Sequence, residues 1–369
     1  MSKRLVLLAV VALALAVSAF SQRPTPTPVV KIDDPNEVIK VNSRLVIIPT
    51  SVTDANGNAI PGLTANDFKI TEEGRAVTID SVAPGEKVPL EIALLFDVSA
   101  STDAMFKFEQ DTAAKFLKDV MKPEDRASIY SIGTKPHLIA GSVAVDQASA
   151  SILGLSATKE ATAFFDAVAD ASDYLRKNAP ERSRRVIVVI SDGDDTSSES
   201  TLREFRVRES KIVEGTDTNH TKGMSMLAQA QQAAKVRERA VVTKALQDAD
   251  TVFYSINPGG SSYQLNQISV FGQENMQAFA SDTGGTAMLP KFLPVDTRIS
   301  YDNATNTRLN NEMLDKLFRQ IANELRSQYL VQYYSEGEFP NGKFVKLSVD
   351  VPTHAGSKIR ARQGYYVKN

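Results

Sequence analysis

The stretch that most constrains this chain is Leu90–Glu–Ile–Ala–Leu–Leu–Phe–Asp–Val–Ser–Ala–Ser101. It starts as a nearly unbroken apolar run, and such a run reads as a strand buried on both faces inside a parallel sheet. It ends in three oxygen-bearing side chains, Asp97, Ser99 and Ser101. In an open α/β sheet the carboxyl ends of the strands form the edge where ligands bind. Spaced two apart in a tight loop, one carboxylate and two hydroxyls can converge on a point. They are hard oxygen ligands, suited to Mg²⁺, Mn²⁺ or Ca²⁺ rather than zinc or copper. Taken alone, the pentapeptide fits a helix N-cap better; the strand before it and the two later loops reverse that preference.

A second apolar run, Val186 to Ile190, ends in Ser191–Asp192–Gly193–Asp194–Asp195. A third polar loop, Glu160–Ala161–Thr162, precedes a segment with helical spacing, Ala163 to Lys177. Around these, helices are expected at 103–121, 276–281 and 312–327, and strands at 127–132 and 251–256, with a short edge pair at 138–145. The pattern predicts a doubly wound, mostly parallel α/β sheet with its polar residues gathered at one edge. No G-x-G-x-x-G follows the first strand and no P-loop motif occurs, which argues against a dinucleotide-binding or P-loop site.

The flanks alternate instead. Phe68 and Ile70, Val77 and Ile79, and later Tyr329, Val331 and Tyr333, then Val345, Leu347, Val349 and Val351, have the period of antiparallel strands. Asn56–Gly57 signals a hairpin turn, and Thr64 to Asp67 has capping-box spacing. A unit of 39–86 alone is too small for a stable core. The expected organisation is therefore 39–86 and 328–369 packed as one antiparallel β-sandwich-like domain, with an α/β domain at 88–327 inserted between them. Residues 196–247 are long for one connection and densely charged around Arg203 to Glu214; they read as a solvated insertion, helical from about Met224.

Residues 1–21 read as a secretory signal: Lys3 and Arg4, an apolar Leu5 to Val17, and a small-x-small site at Ala19–Phe20–Ser21. Residues 22–38 form a Pro-rich linker. The expected location is periplasmic or extracellular. The chain has no cysteine, three scattered histidines and a net charge of −2. Disulfides, thiolate metal sites and cysteine nucleophiles are thereby excluded, and no broad basic surface points to nucleic acid.

Asp97–x–Ser99–x–Ser101, Thr162 and Asp192, in this order, resemble the metal-ion-dependent adhesion site (MIDAS) of the von Willebrand factor type A (VWA) family. The resemblance covers roughly 88–327. The flanking strands and the Arg362–Gln–Gly–Tyr–Tyr366 stretch are similar to exported family members of the acidobacterial type. The resemblance implies that Ser99, Ser101 and, in one state, Thr162 bind Mg²⁺ directly, while Asp97 and Asp192 act mostly through water. A carboxylate from an Asp or Glu of a partner protein would fill the last position. It also implies that the helix 312–327, which runs into Gln328 without Gly or Pro, moves with ligand state. Glu160–Ala161 stands where many members have Gly–Gly, placing a bulky acid beside Thr162. The competing reading is a metal-dependent hydrolase or phosphotransferase using Asp97, with Asp194 or Asp195 as base. Against it, aspartyl phosphatases carry a second Asp where Ser99 stands, and no His lies near the three loops.

Overall fold

The computed structural model describes residues 44–99, 103–158, 160–213, 220–258, 267–291, 293 and 300–368. The signal and linker readings at 1–38, and Ser101, lie outside the described residues.

Strand β5 (Leu90–Asp97) is the backbone of a six-stranded sheet. It pairs in parallel with β6 (Arg126–Ile132) on one side and β8 (Arg184–Ile190) on the other. Beyond β8 lie β9 (Thr251–Ile256) and the two-residue β10 (Ala287–Met288), both parallel. Beyond β6 an antiparallel β7 (Pro136–Val143) forms the edge. The period of two divides each strand between two cores. Leu90, Ile92, Leu94 and Phe96, with Val186, Val188 and Ile190, face α1 (Asp103–Val120), α2 (Val145–Leu153) and α7 (Ser300–Ser327). Ala93, Leu95, Ile187 and Val189 face α3 (Phe164–Asn178), α5 (His220–Asp248) and α6 (Gln267–Thr283). Burial of both faces explains the continuous apolar runs.

Several elements differ from expectation. The predicted edge pair at 138–145 is one strand, and Val145 opens a helix whose Ala148 and Ile152 reach the core. The insertion is a pair of helices, α4 (Glu199–Val213) and α5, starting well before Met224. It is not merely solvated: Ala234, Val242 and Leu246 of α5 are fully buried. Helix α6 begins nine residues earlier than expected, at Gln267, and α7 twelve residues earlier, at Ser300. The polar, Asn-rich start of α7 is a weak helix former, but Asn310 is buried and closes two hydrogen bonds with the Leu293 backbone.

Strands from both flanks build two four-stranded sheets. One has the order β13 (Lys358–Ala361), β1 (Arg44–Thr53), β11 (Tyr329–Ser335), β4 (Ile79–Pro84). The other has β14 (Gly364–Tyr366), β12 (Phe344–Asp350), β2 (Lys69–Glu72), β3 (Arg75–Val77). All their pairings are antiparallel. Between Val77 and Ile79 the chain changes sheet, so these two do not pair back as one hairpin. Asn56–Gly57 does turn, with Gly57 at φ +88°, but only Thr53 and Ala59 bridge across it. A common core of Val46, Ile48, Ile70, Val331, Tyr333, Val345 and Tyr365 fills the space between the sheets. Inside it sits Glu72, which accepts the hydroxyls of Tyr333 (2.7 Å), Tyr365 (2.8 Å) and Ser335 (3.0 Å).

The Gln328 joint connects the two parts. Its carbonyl accepts the Gly85 N–H and its side-chain amide donates to the Tyr254 hydroxyl. The buried Arg184 guanidinium donates to the carbonyls of Leu325 (2.6 Å) and Val88 (3.3 Å).

Candidate metal site at the carboxyl edge of the sheet

Strand order reverses at β5: the chain proceeds to β6 on one side and later returns to β8 on the other. A crevice at the carboxyl ends of β5 and β8 is the geometric result. Asp97 ends β5 and is half-buried. One carboxylate oxygen accepts the Ser99 N–H (3.0 Å), forming an Asx turn, and the other accepts the Ser191 hydroxyl (2.7 Å). Burial raises the Asp97 pKa, the Ser191 and Ser99 donors oppose that, and the nearby charge of Asp192 raises it further.

Asp192 sits on the loop after β8. Its Oδ1 accepts the Asp194 N–H at 3.0 Å. The side chain reaches solvent, yet the protein packed around it pushes its pKa up, and the Asp194 charge adds to this. Gly193, at φ +77°, shapes this loop. A Cβ there would stand 2.5 Å from the Gly272 carbonyl oxygen, and one at Gly272 would stand 2.7 Å from the Asp192 carbonyl oxygen. The loop and α6 thus cross at two glycines, at a separation no side chain permits.

Thr162 is buried on the middle loop. Its N–H donates to the Thr196 hydroxyl (2.9 Å), and its carbonyl accepts the N–H groups of Thr196 (2.9 Å) and Ser197 (3.1 Å). Thr158 of the same loop donates its N–H to the Val98 carbonyl at 2.6 Å. The loops carrying Asp97, Thr162 and Asp192 are therefore tied pairwise: first to second through Thr158, second to third through Thr196, third to first through Ser191. The Glu160 carboxylate accepts the Thr134 hydroxyl at 3.4 Å, beside Gly133.

The remaining acids of the third loop have other partners. Asp195 is buried and accepts the hydroxyls of Ser198 and Thr201 and the Phe165 N–H. Asp194 pairs at 3.2 Å with Lys235, whose ammonium also lies 5.8 Å from the Phe271 ring centre. Asp166 accepts the Glu199 N–H and the Ser200 hydroxyl at the start of α4. Sequence reading missed Ser191, Thr196 and Lys235 as parts of this assembly. Ser191 was visible as the residue before Asp–Gly; Lys235 lies 41 residues beyond Asp194, on the insertion, and carries no local signal.

Among the described residues no three His, Cys, Asp or Glu side chains gather where they could hold a metal. Among the described residues, the candidate ligands at this edge, Asp97, Ser99, Thr162 and Asp192, carry carboxylate and hydroxyl oxygens. That set fits a hard divalent cation.

Residues 92–194 match the sequence model of the von Willebrand factor type A domain. No curated protein matches the chain. Among solved structures, the chain is similar to proximal thread matrix protein 1 from the mussel byssus with a zinc-occupied MIDAS motif. Identity is 12%, covering 69% of this chain and 50% of that one, with a TM-score of 0.40. A von Willebrand factor type A protein from Catenulispora acidiphila shows 13% identity over 75% of this chain and 51% of that one, TM-score 0.37. BatB from Bacteroides thetaiotaomicron shows 11% identity over 63% of this chain and 99% of that one, TM-score 0.32. The chain spans about half the length of the first two. The α/β unit has the VWA-type fold, and the stretch that matches the family contains Asp97, Ser99, Ser101, Thr162 and Asp192.

Proposed function

We propose that this protein is an exported module that binds a partner protein through a divalent cation at the carboxyl edge of the sheet, bridging to an Asp or Glu of the partner. The reading is carried by one observation: three loops, each bearing a candidate ligand, are tied to one another at a single sheet edge whose donors are all oxygen. Ser99, Ser101 and Thr162 would supply hydroxyls, and Asp97 and Asp192 carboxylates. Mostly neutral direct ligands leave the cation with strong residual charge, so an incoming carboxylate is held firmly. Mg²⁺ or Mn²⁺ is the expected ion, with Ca²⁺ the larger alternative.

A binding role is favoured over hydrolysis by the fate of the spare acids. Asp195 is enclosed by two hydroxyls and an amide, and Asp194 is paired with Lys235. Neither is poised to activate water. Export rests on the sequence of residues 1–21. Among the described residues no helix is long and apolar enough to cross a membrane.

The test is calorimetric titration of Mg²⁺ and Mn²⁺, with pull-down from envelope extract in Mg²⁺ and elution by chelator. Metal-dependent capture without turnover supports the proposal; steady release of phosphate or hydrolysed product supports an enzyme instead. Asp97→Ala and Ser99→Ala should each abolish capture with the fold intact. Normal capture by both variants would remove the site assignment.

A further inference from the structure

At the amino-terminal edge of the parallel sheet, opposite Asp97, lies a cavity of about 690 Å³. One wall is the outward face of β1 and β11, with Leu45, Ile47, Pro49 and Leu330. Leu45 and Ile47 stay 44% and 40% exposed there, while Val46 and Ile48 of the same strand are buried in the sandwich core. The facing wall is cationic. Arg182, Arg184 and Arg185, in and just after the turn into β8, with Arg362 and Lys368, outnumber the two acids of the lining, Glu181 and Asp250.

These charges are met mainly by neutral acceptors. Arg184 donates to carbonyls and Gln328, Arg185 to the Ala249 carbonyl and Lys368 to the Asp248 carbonyl. Arg362 pairs with Asp250. The Nε atoms of Arg185 and Arg362 are buried without a hydrogen-bond partner among the described residues. Asp125, which also accepts the Leu90 and Lys122 N–H groups, and Glu86 lie near Arg184 and offset part of its charge, while Arg182 and Arg185 make no ion pair among the described residues. Burial pushes the Arg184 pKa down to about 10, so the charge persists at neutrality. Carbonyl dipoles satisfy guanidinium N–H groups but leave the net charge in place, and Arg forks match planar or tetrahedral oxyanions.

We propose that this cavity binds a small amphiphilic anion. A carboxylate or phosphate head sits against Arg182, Arg185 and Arg362, and an alkyl body lies along Leu45, Ile47 and Leu330. The site is independent of the metal edge and of the function proposed for it. Arg184 fastens the Gln328 joint; Arg182 is exposed and has no such part in the fold.

The experiment is isothermal titration of the full chain with decanoate, decyl phosphate, decanol and inorganic phosphate, all below micelle-forming concentration. One or both amphiphilic anions should bind saturably, with decanol and inorganic phosphate each weaker by about tenfold or more. Tighter decanoate identifies a fatty-acid type of ligand; tighter decyl phosphate identifies a phospholipid type. Arg182→Gln, and Arg182→Gln with Arg185→Gln, should lower affinity progressively at an unchanged urea midpoint; if the double variant is unstable, the single one decides. The proposal is overturned by absence of saturable binding, by decanol or inorganic phosphate binding as tightly as the amphiphilic anions, or by Arg182→Gln binding at the original affinity.

Discussion

Two acids in this protein share a chemistry and a place at a strand end and differ in what surrounds them. Glu72 and Asp97 both end a strand, and both are met by hydroxyl groups. The donors to Glu72 stand on rigid strands inside a sandwich core. Burial, together with the Glu72 charge, holds the Tyr333 phenol above its ordinary pKa, so it stays a donor. Glu72 takes three hydroxyl donors, and its residue is 6% exposed. The donors to Asp97 belong to loops, burial and, after it, the charge of Asp192 raise its pKa, and the neighbouring Asp192 side chain reaches solvent. A buried acid whose surroundings are complete is a structural element. One whose surroundings are loops with unspent oxygens suits a ligand.

Exchanging the two acids for inert residues separates these roles. Glu72→Ala should cost about 3 kcal/mol by chemical denaturation, because three buried hydroxyls lose their acceptor; metal binding by the folded fraction should be unchanged. Asp97→Asn should do the converse, changing stability by less than about 1 kcal/mol while lowering Mg²⁺ affinity by about a hundredfold. Equal effects of the two on stability would erase the distinction. Gly193→Ala should cost about 1–3 kcal/mol and weaken metal binding, since the added methyl meets the Gly272 carbonyl and displaces the Asp192 loop. Smallest is a pH effect remote from both acids. The Thr64 N–H, the Thr64 hydroxyl and the Thr353 hydroxyl hold Asp67 below its ordinary pKa. Its contribution is present above the unfolded pKa and lost as pH falls through the folded value. Asp67→Asn should therefore flatten the acid limb of the stability curve and leave the neutral region almost level, as thermal melts against pH will show.

The sheet was legible because burial on both faces writes itself as uninterrupted apolar residues, as in Leu90 to Phe96 and Val186 to Ile190. The sandwich was legible because one-sided burial writes itself as alternation, as in Tyr329 to Tyr333. Helix α2 was not, because Val145 to Leu153 presents just Ala148, Ile152 and a half-buried Val145 to the apolar core, among serines and alanines. The early start of α7 has little apolar content to announce it, and the hydrogen bonds of Asn310 with the Leu293 backbone are tertiary, with no local signature. At the site, the spacing Asp97–x–Ser99 and the Ser191–Asp192–Gly193 triplet pointed to two loops that the fold ties together at one sheet edge. The ties between loops, through Thr158, Thr196 and Ser191, involve residues common in any turn and become meaningful only when the chain is folded.

The Gln328 joint limits how α7 can respond to events at the metal edge. Its last turn is held by the Arg184 guanidinium, and the next residue is fastened to Gly85 and Tyr254. Axial sliding would break all of these together. A swing of the helix about that end would keep them. Displacement should then grow toward Ser300, like the far end of a lever, with the antiparallel strands beyond the hinge left undisturbed.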